Sequence, residues 1–273
     1  TGYVLAATAT GLTAGNSNTF NVVAVGPGTK LAFTAQPSNV VAGASITPAI
    51  QVTVQDSSGA TVTSPSVQIT LKIDAAANPD SSTISGGSTV SAFTSNGVAT
   101  FGAVSLNKAG TGYKLTASNS SLTGATSDAF NVAFGTATKL GFMQQPTHTV
   151  FSQTMTPAVT IARQDANGNT VTGPAQVSVT ISLGGCAATL GGTTTATTAA
   201  GVATYSNLSI ATQVSNCTLG AASTGLTSAT STAFNSVAAT GAVKLGFITN
   251  PPTNTTAGSS LGTIQVALQN ASG

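Results

Sequence analysis

Cys186 and Cys217 are the two cysteines of this 273-residue chain, and both lie in one stretch of sequence. An otherwise matching earlier stretch carries Tyr113 where Cys217 falls and has no pair of its own. Two thiols gained together point to a disulfide, and a disulfide to an oxidising compartment. Closing a loop of about 30 residues adds roughly 3–4 kcal/mol through the entropy of the unfolded chain. Two separate buried thiols are the alternative. Cys186 follows the Val177–Leu183 run, so the bridge reads as a local staple. A second candidate is Asp165-Ala166-Asn167-Gly168-Asn169, where Asp165, Asn167 and Asn169 put oxygen side chains at alternate positions, as a calcium loop begins. Calcium takes six to eight oxygen ligands, usually with several carboxylates, and here one Asp stands alone. The ordinary reading is an Asx turn in which Asp binds its own backbone and Gly takes positive φ.

Lys30 and Lys139 open two long segments that Asn131 and Asn235 close. A lysine amine and an asparagine carboxamide can condense to an isopeptide bond when a buried carboxylate assists; Asp56 or Asp165 would have to serve, since Glu is absent. The competing reading makes each lysine an edge-strand charge that discourages wrong pairing. Tyr113, with Tyr3 at the same position one period earlier, suits a buried ring whose hydroxyl reaches nearby backbone. His148, the sole histidine, sits in a Pro-Thr-His-Thr loop and reads as a surface residue. Acid–base and nucleophilic catalysis need a base placed beside the reacting group, and no such arrangement is legible; the chain reads as no enzyme and implies no cofactor. Asn119-Ser120-Ser121, Asn207-Leu208-Ser209, Asn216-Cys217-Thr218 and Asn254-Thr255-Thr256 are glycan-acceptor triplets, which chance also produces in a chain this rich in Ser and Thr.

The elements that position these residues recur. Lys30-Leu31-Ala32-Phe33-Thr34-Ala35-Gln36-Pro37 returns as Lys139-Leu140-Gly141-Phe142-Met143-Gln144-Gln145-Pro146 and as Lys244-Leu245-Gly246-Phe247-Ile248-Thr249-Asn250-Pro251. Gln55-Asp56-Ser57-Ser58-Gly59 recurs at Gln164–Gly168 and Gln269–Gly273, and Gly97-Val98-Ala99-Thr100-Phe101 at Gly201–Tyr205. A period of about 100 residues is too long for a solenoid unit and suits a self-sufficient domain. The phase divides the chain into the last strands of one repeat (1–26), two whole repeats (27–135 and 136–240) and the first strands of another (241–273). The expectation is an ordered stretch of a longer array. Joints as short as Gly26-Pro27-Gly28-Thr29 and Gly135-Thr136-Ala137-Thr138 predict an extended rod.

Composition narrows the function. Seven Lys and Arg and five Asp leave 4% of residues charged, and the lysines are scattered. Nucleic-acid binding needs several cations on one face and is excluded on this ground. No apolar run reaches the 18 or so residues of a membrane span. Ser and Thr must form most of the surface, which is then wet without being repulsive, so copies can lie side by side.

Every segment alternates with period two: Ile50, Val52 and Val54; Val67, Ile69, Leu71 and Ile73; Val177, Val179, Ile181 and Leu183. About seven short strands per hundred residues, punctuated by Gly, Asn, Pro and Ser, predict an all-β chain of antiparallel β-sandwiches. The phrases Asp165-Ala166-Asn167-Gly168-Asn169-Thr170-Val171 with Val177-Ser178-Val179-Thr180, Ser95-Asn96-Gly97-Val98-Ala99-Thr100-Phe101, and Lys108-Ala109-Gly110-Thr111-Gly112-Tyr113 together resemble the bacterial Ig-like repeats of the invasin/intimin type. That resemblance covers both full repeats and both fragments. It implies tandem Ig-like domains on a secreted bacterial surface protein, acting as a non-catalytic stalk, fibre or filament block whose partners are neighbouring repeats or further copies. The alternative is an adhesin or carbohydrate-binding array, which predicts exposed aromatics gathered on one face; Trp is absent, and the ten Phe fall mainly in core phase.

Overall fold

The strand-forming alternation is realised throughout. The computed structural model describes residues 2–21, 24–78, 80–85, 87–238, 244–249, 251 and 254–269. Its regular elements are strands, apart from a single 3-10 turn at Ala75–Ala77 capped by Asp74. Residues 270–273, the tail of the third Gln-Asx phrase, lie outside the described residues. Backbone contacts divide the chain into two compact units. Unit 1 comprises Thr1–Thr136 with Asp165–Asn169, and unit 2 comprises Ala137–Gln164 with Thr170–Gly273.

In unit 1 a seven-stranded sheet runs in the order Val90–Phe93, Gln68–Ile73, Leu115–Asn119, Leu122–Thr126, Lys30–Ala35, Ile50–Gln55 and Val98–Phe101. A three-stranded sheet of Val40–Val41, Phe130–Ala133 and Gly110–Tyr113 accompanies it. Period two sorts the faces. Ile69 and Leu71 are fully buried, while Gln68 and Lys72 on the same strand are exposed. The inward residues, among them Ile46, Ile50, Val52, Leu71, Phe101, Tyr113, Leu115 and Phe130, form one core. Unit 2 repeats the plan around Leu140, Met155, Ile161, Ile181, Tyr205, Cys217, Leu219 and Phe234.

The Lys-Leu-x-Phe phrase has one structural meaning in all three copies. Lys30 pairs with Gln55, Lys139 with Gln164 and Lys244 with Gln269, each antiparallel, and each ladder shifts register just after the Phe. The Gln-Pro that follows ends the half-strand, because Pro37 and Pro146 carry no N–H to extend a ladder. Gln36 and Gln145 then accept the backbone N–H of Asp128 and Thr232, each at 3.0 Å, at the entry to the last strand.

Two details refine the expected picture. The sandwiches are not wholly antiparallel. After the Pro, Val40–Val41 and Thr149–Val150 run parallel to the last strands Phe130–Ala133 and Phe234–Val237, so the opening segment serves two sheets in unit 1 and two places of one nine-stranded sheet in unit 2. Hydropathy alternation sets which face is buried, not which way a neighbour runs. Nor do all of the Phe residues keep to the core. Phe101, Phe130 and Phe234 are buried and Phe33 and Phe142 pack partly against the core, but Phe93 on an edge strand is 67% exposed. In the terminal segments Tyr3 and Phe20 pair at 6.0 Å, as Tyr113 and Phe130 do at 6.1 Å. Leu245 is 71% exposed where Leu31 and Leu140 are 4% exposed.

Candidate functional site

Asp165, Asn167 and Asn169 do come together, and their hydrogen bonds define what they do. Asp165 Oδ1 accepts the backbone N–H of Asn167 and of Asn169, both at 2.9 Å. Its Oδ2 accepts the N–H of Gly135 at 2.9 Å, and the Asn169 carboxamide donates to both oxygens. Asp56 repeats the pattern with Ser58 N, Ser58 Oγ, Ala60 N and Gly26 N. A carboxylate surrounded by N–H and O–H donors offers a cation hydrogens rather than lone pairs, so this geometry fits the Asx turn and not a calcium loop. Among the described residues no group of three or more His, Cys, Asp or Glu gathers to hold a metal.

The same bonds set the acidities. Ser58 Oγ first, then Gly26 N–H, hold Asp56 at about 2. Burial pushes Asp165 up, but the donors from Gly135, Asn169 and Asn167 outweigh it, and the group ends below the ordinary carboxylate value.

Cys186 and Cys217 form a disulfide with Cα atoms 4.9 Å apart, closing a loop across 31 positions. Cys217 is fully buried on the Val214–Ser223 strand and opposite Phe234. In unit 1 the matching Tyr113, opposite Phe130, is also fully buried, and its hydroxyl donates to Lys108 O at 3.1 Å. One repeat ties this strand to its own approach by a tyrosine corner; the other ties it by a covalent staple to the segment that follows Ser178–Gly184. Burial, with the Asp80 charge, raises the Tyr113 hydroxyl.

The lysine–asparagine pairs are not brought together. Lys30 lies in the seven-stranded sheet, whereas Asn131 lies in the three-stranded one, where its Oδ1 accepts Gly112 N–H. In unit 2, Lys139 pairs with Gln164 and Thr227, while Asn235 Oδ1 accepts Asn216 N–H at 2.9 Å. His148 is exposed but structurally engaged. Its Nδ1 accepts Asn235 N–H at 2.9 Å, as Asn39 Oδ1 accepts Asn131 N–H at 2.7 Å. Of the glycan-acceptor triplets, Asn119 donates its carboxamide to Gln68 O and Asn207 to Thr193 Oγ1, while Asn216 and Asn254 are exposed.

Two residues with chemistry escaped the sequence reading. Arg163 is 4% exposed and donates through Nε to Val171 O at 2.9 Å and through Nη2 to Gly173 O at 2.6 Å. Its ladder position matches Val54, since Leu140 pairs with Arg163 as Leu31 does with Val54. That match was the available signal, a cation in core phase. Tyr205 replaces Phe101 and donates its hydroxyl to Val179 O at 2.7 Å, and burial pushes the group up to about 12. An open groove of about 500 Å³ along Val40, Gly110, Val132 and Phe134 has no titratable side chain in its lining.

No family model matches the chain, and no curated protein does. Solved structures that the chain matches include a glycosyl hydrolase family 2 member from Bacteroides cellulosilyticus, 15% identical over 68% of this chain and 23% of that one, with a TM-score of 0.32. Domains 4–9 of the surface layer protein SbsC are 15% identical over 86% of this chain and 35% of theirs, with a TM-score of 0.28. A chimeric titin Z1Z2 tandem is 15% identical over 77% of this chain and 99% of its own, with a TM-score of 0.23. The chain spans about a quarter of the length of the hydrolase. The chain's own strands show the fold: the protein is all-β, with hydrogen-bonded sheets around one core in each unit.

Proposed function

We propose that this chain is a structural repeat region of a bacterial extracellular surface protein, a building block of a stalk, fibre or filament with no catalytic role. The observation that carries this reading is where its chemically capable side chains make their hydrogen bonds. Asp56, Asp165, Arg163, Tyr113, Tyr205 and His148 each bind the chain's own backbone. Groups committed in this way hold a framework; a catalytic base or nucleophile has to reach a reacting partner instead.

Two further observations support it. The framework bonds recur while the crosslinking chemistry varies: Ser127 Oγ accepts Leu115 N–H as Ser231 Oγ accepts Leu219 N–H, but a tyrosine corner in one repeat stands for a disulfide in the other. The disulfide itself suits an oxidising, extracellular location. A surface with 4% charged residues favours close packing of neighbouring repeats or copies.

The test is protease shaving of intact cells that express the native protein, with mass spectrometry of the released peptides. Peptides from 27–240 in the supernatant of unlysed cells are expected. Their release only after lysis would overturn the proposal.

A further inference from the structure

Asn167 and Asn169 lie in the Asx turn, and they also point carboxamides at backbone groups more than fifty residues away, all within unit 1. Asn167 Nδ2 donates to Ala42 O at 3.0 Å. Asn169 Nδ2 donates to Asn107 O at 3.0 Å, and its Oδ1 accepts Ala109 N–H at 3.0 Å. Asn169 is 8% exposed and Asp165 2%. A carboxamide that gives one bond to a carbonyl and takes one from an N–H two residues on is read on both its atoms, as a strand edge reads a backbone amide. Aliphatic and carboxylate side chains cannot reproduce both bonds, and a hydroxyl would have to make both from one atom on a shorter arm.

Shape adds a second criterion. Gly43 has φ +82°, and a Cβ placed on it would meet Asn167 Nδ2 at 2.7 Å, closer than real Cβ contacts come. The matching position in unit 2 is Ser152, with φ +61° and the same backbone bond: Ser152 N–H to Ile210 O at 2.7 Å, as Gly43 N–H to Leu106 O at 2.7 Å. A serine therefore adopts this backbone, and the bare Gly43 is what leaves room for the Asn167 carboxamide. The sister turn carries Ser58 and Ala60 where this one carries Asn167 and Asn169; Ser58 turns its hydroxyl back onto Asp56. The turn itself thus needs neither Asn.

We propose that Ala42 C=O, Gly43, Asn107 C=O and Ala109 N–H form a carboxamide-reading site of unit 1, occupied by the Asp165–Asn169 turn, and that the residue at position 43 selects the turn by size. Unit 1 is then completed by a late segment of chain rather than by residues 1–136 alone. The inference is independent of what the parent protein does.

A double-mutant cycle on the full chain tests it. Gly43→Ser and Asn167→Ser are made singly and together, with thermal unfolding and hydrogen exchange at the Ala109 amide as readouts. Gly43→Ser alone is expected to lower the unit 1 transition by about 4–8 °C, because the new Cβ displaces the carboxamide. The double variant is expected to recover the part of the loss that the clash with the carboxamide causes, the cost of a side chain at the positive φ of position 43 remaining. Losses that simply add would overturn the size selection. Should Gly43→Ser not fold, Asn169→Ala still decides the matter. It is expected to speed Ala109 exchange at least about tenfold while the unit 2 core amides keep their protection; unchanged exchange at Ala109 would contradict the site.

Discussion

Asp165 Oδ2 accepts the backbone N–H of Gly135 at 2.9 Å, and Asp56 Oδ2 accepts that of Gly26 at the same distance, each pair thirty residues apart. The carboxylate that organises the turn therefore also fastens the glycine segment leading into the repeat. Only the ionised form accepts all of these donors, so the fold depends on both carboxylates staying charged.

The acid limb of stability follows from this. Asp56 is held at about 2 and Asp165 is also lowered. A carboxylate depressed by folding contributes its full stabilisation above its unfolded value near 4 and loses it as pH falls through the folded one. Thermal midpoints should stay level down to about pH 4 and drop between about pH 4 and 2. Asp165→Asn, which removes one charged acceptor, should flatten that drop while lowering the midpoint at neutral pH.

The alkaline limb carries the opposite sign. Tyr205 is pushed up to about 12, so its buried hydroxyl stabilises fully below about 10, and that contribution is lost as pH rises toward 12. Tyr205→Phe should remove this dependence and cost about 1 kcal/mol at neutral pH for the lost bond to Val179 O. Spectrophotometric titration of tyrosinate against the unfolded chain reads it directly.

Reduction should separate the two units. Breaking Cys186–Cys217 releases a 31-position loop and should destabilise unit 2 by about 3 kcal/mol, reaching the tyrosine-cornered unit 1 only through the Asp165–Asn169 turn. Calorimetry with and without reductant should show the unit 2 transition moving by more than that of unit 1. The same sample should show no deficit of about 17 Da in intact mass, since the Asn131 and Asn235 carboxamides are engaged with the backbone N–H groups of Gly112 and Asn216.

His148 offers a smaller test. Its Nδ1 holds Asn235 N–H as the Asn39 carboxamide holds Asn131 N–H. His148→Asn should keep the midpoint within about 1 °C, whereas His148→Ala should cost about 0.5–1.5 kcal/mol.

Much of this architecture is legible in the residues. Period-two alternation marks Ile69, Leu71, Val179 and Ile181 as inward, and the recurring Lys-Leu-x-Phe marks one register shared by three strand pairs. The cysteine pair is legible because its sister repeat lacks one. The parallel pairing of Val40–Val41 is not, since alternation carries no strand direction. Arg163 is hidden for a related reason: a cation reads as outward, and only the match to Val54 shows it in core phase, where carbonyls of Val171 and Gly173 replace a counter-ion. The reach of Asn167 and Asn169 to Ala42, Asn107 and Ala109 depends on long-range geometry that no local pattern encodes.

The central claim is that these repeats are surface architecture. Immunogold electron microscopy of native cells, with antibody raised against residues 27–240, tests it most directly. The account predicts gold outside the envelope, along projecting stalks or fibres or over a continuous coat. Gold confined to the cytoplasm, or a secreted monomer with no surface structure, would contradict it.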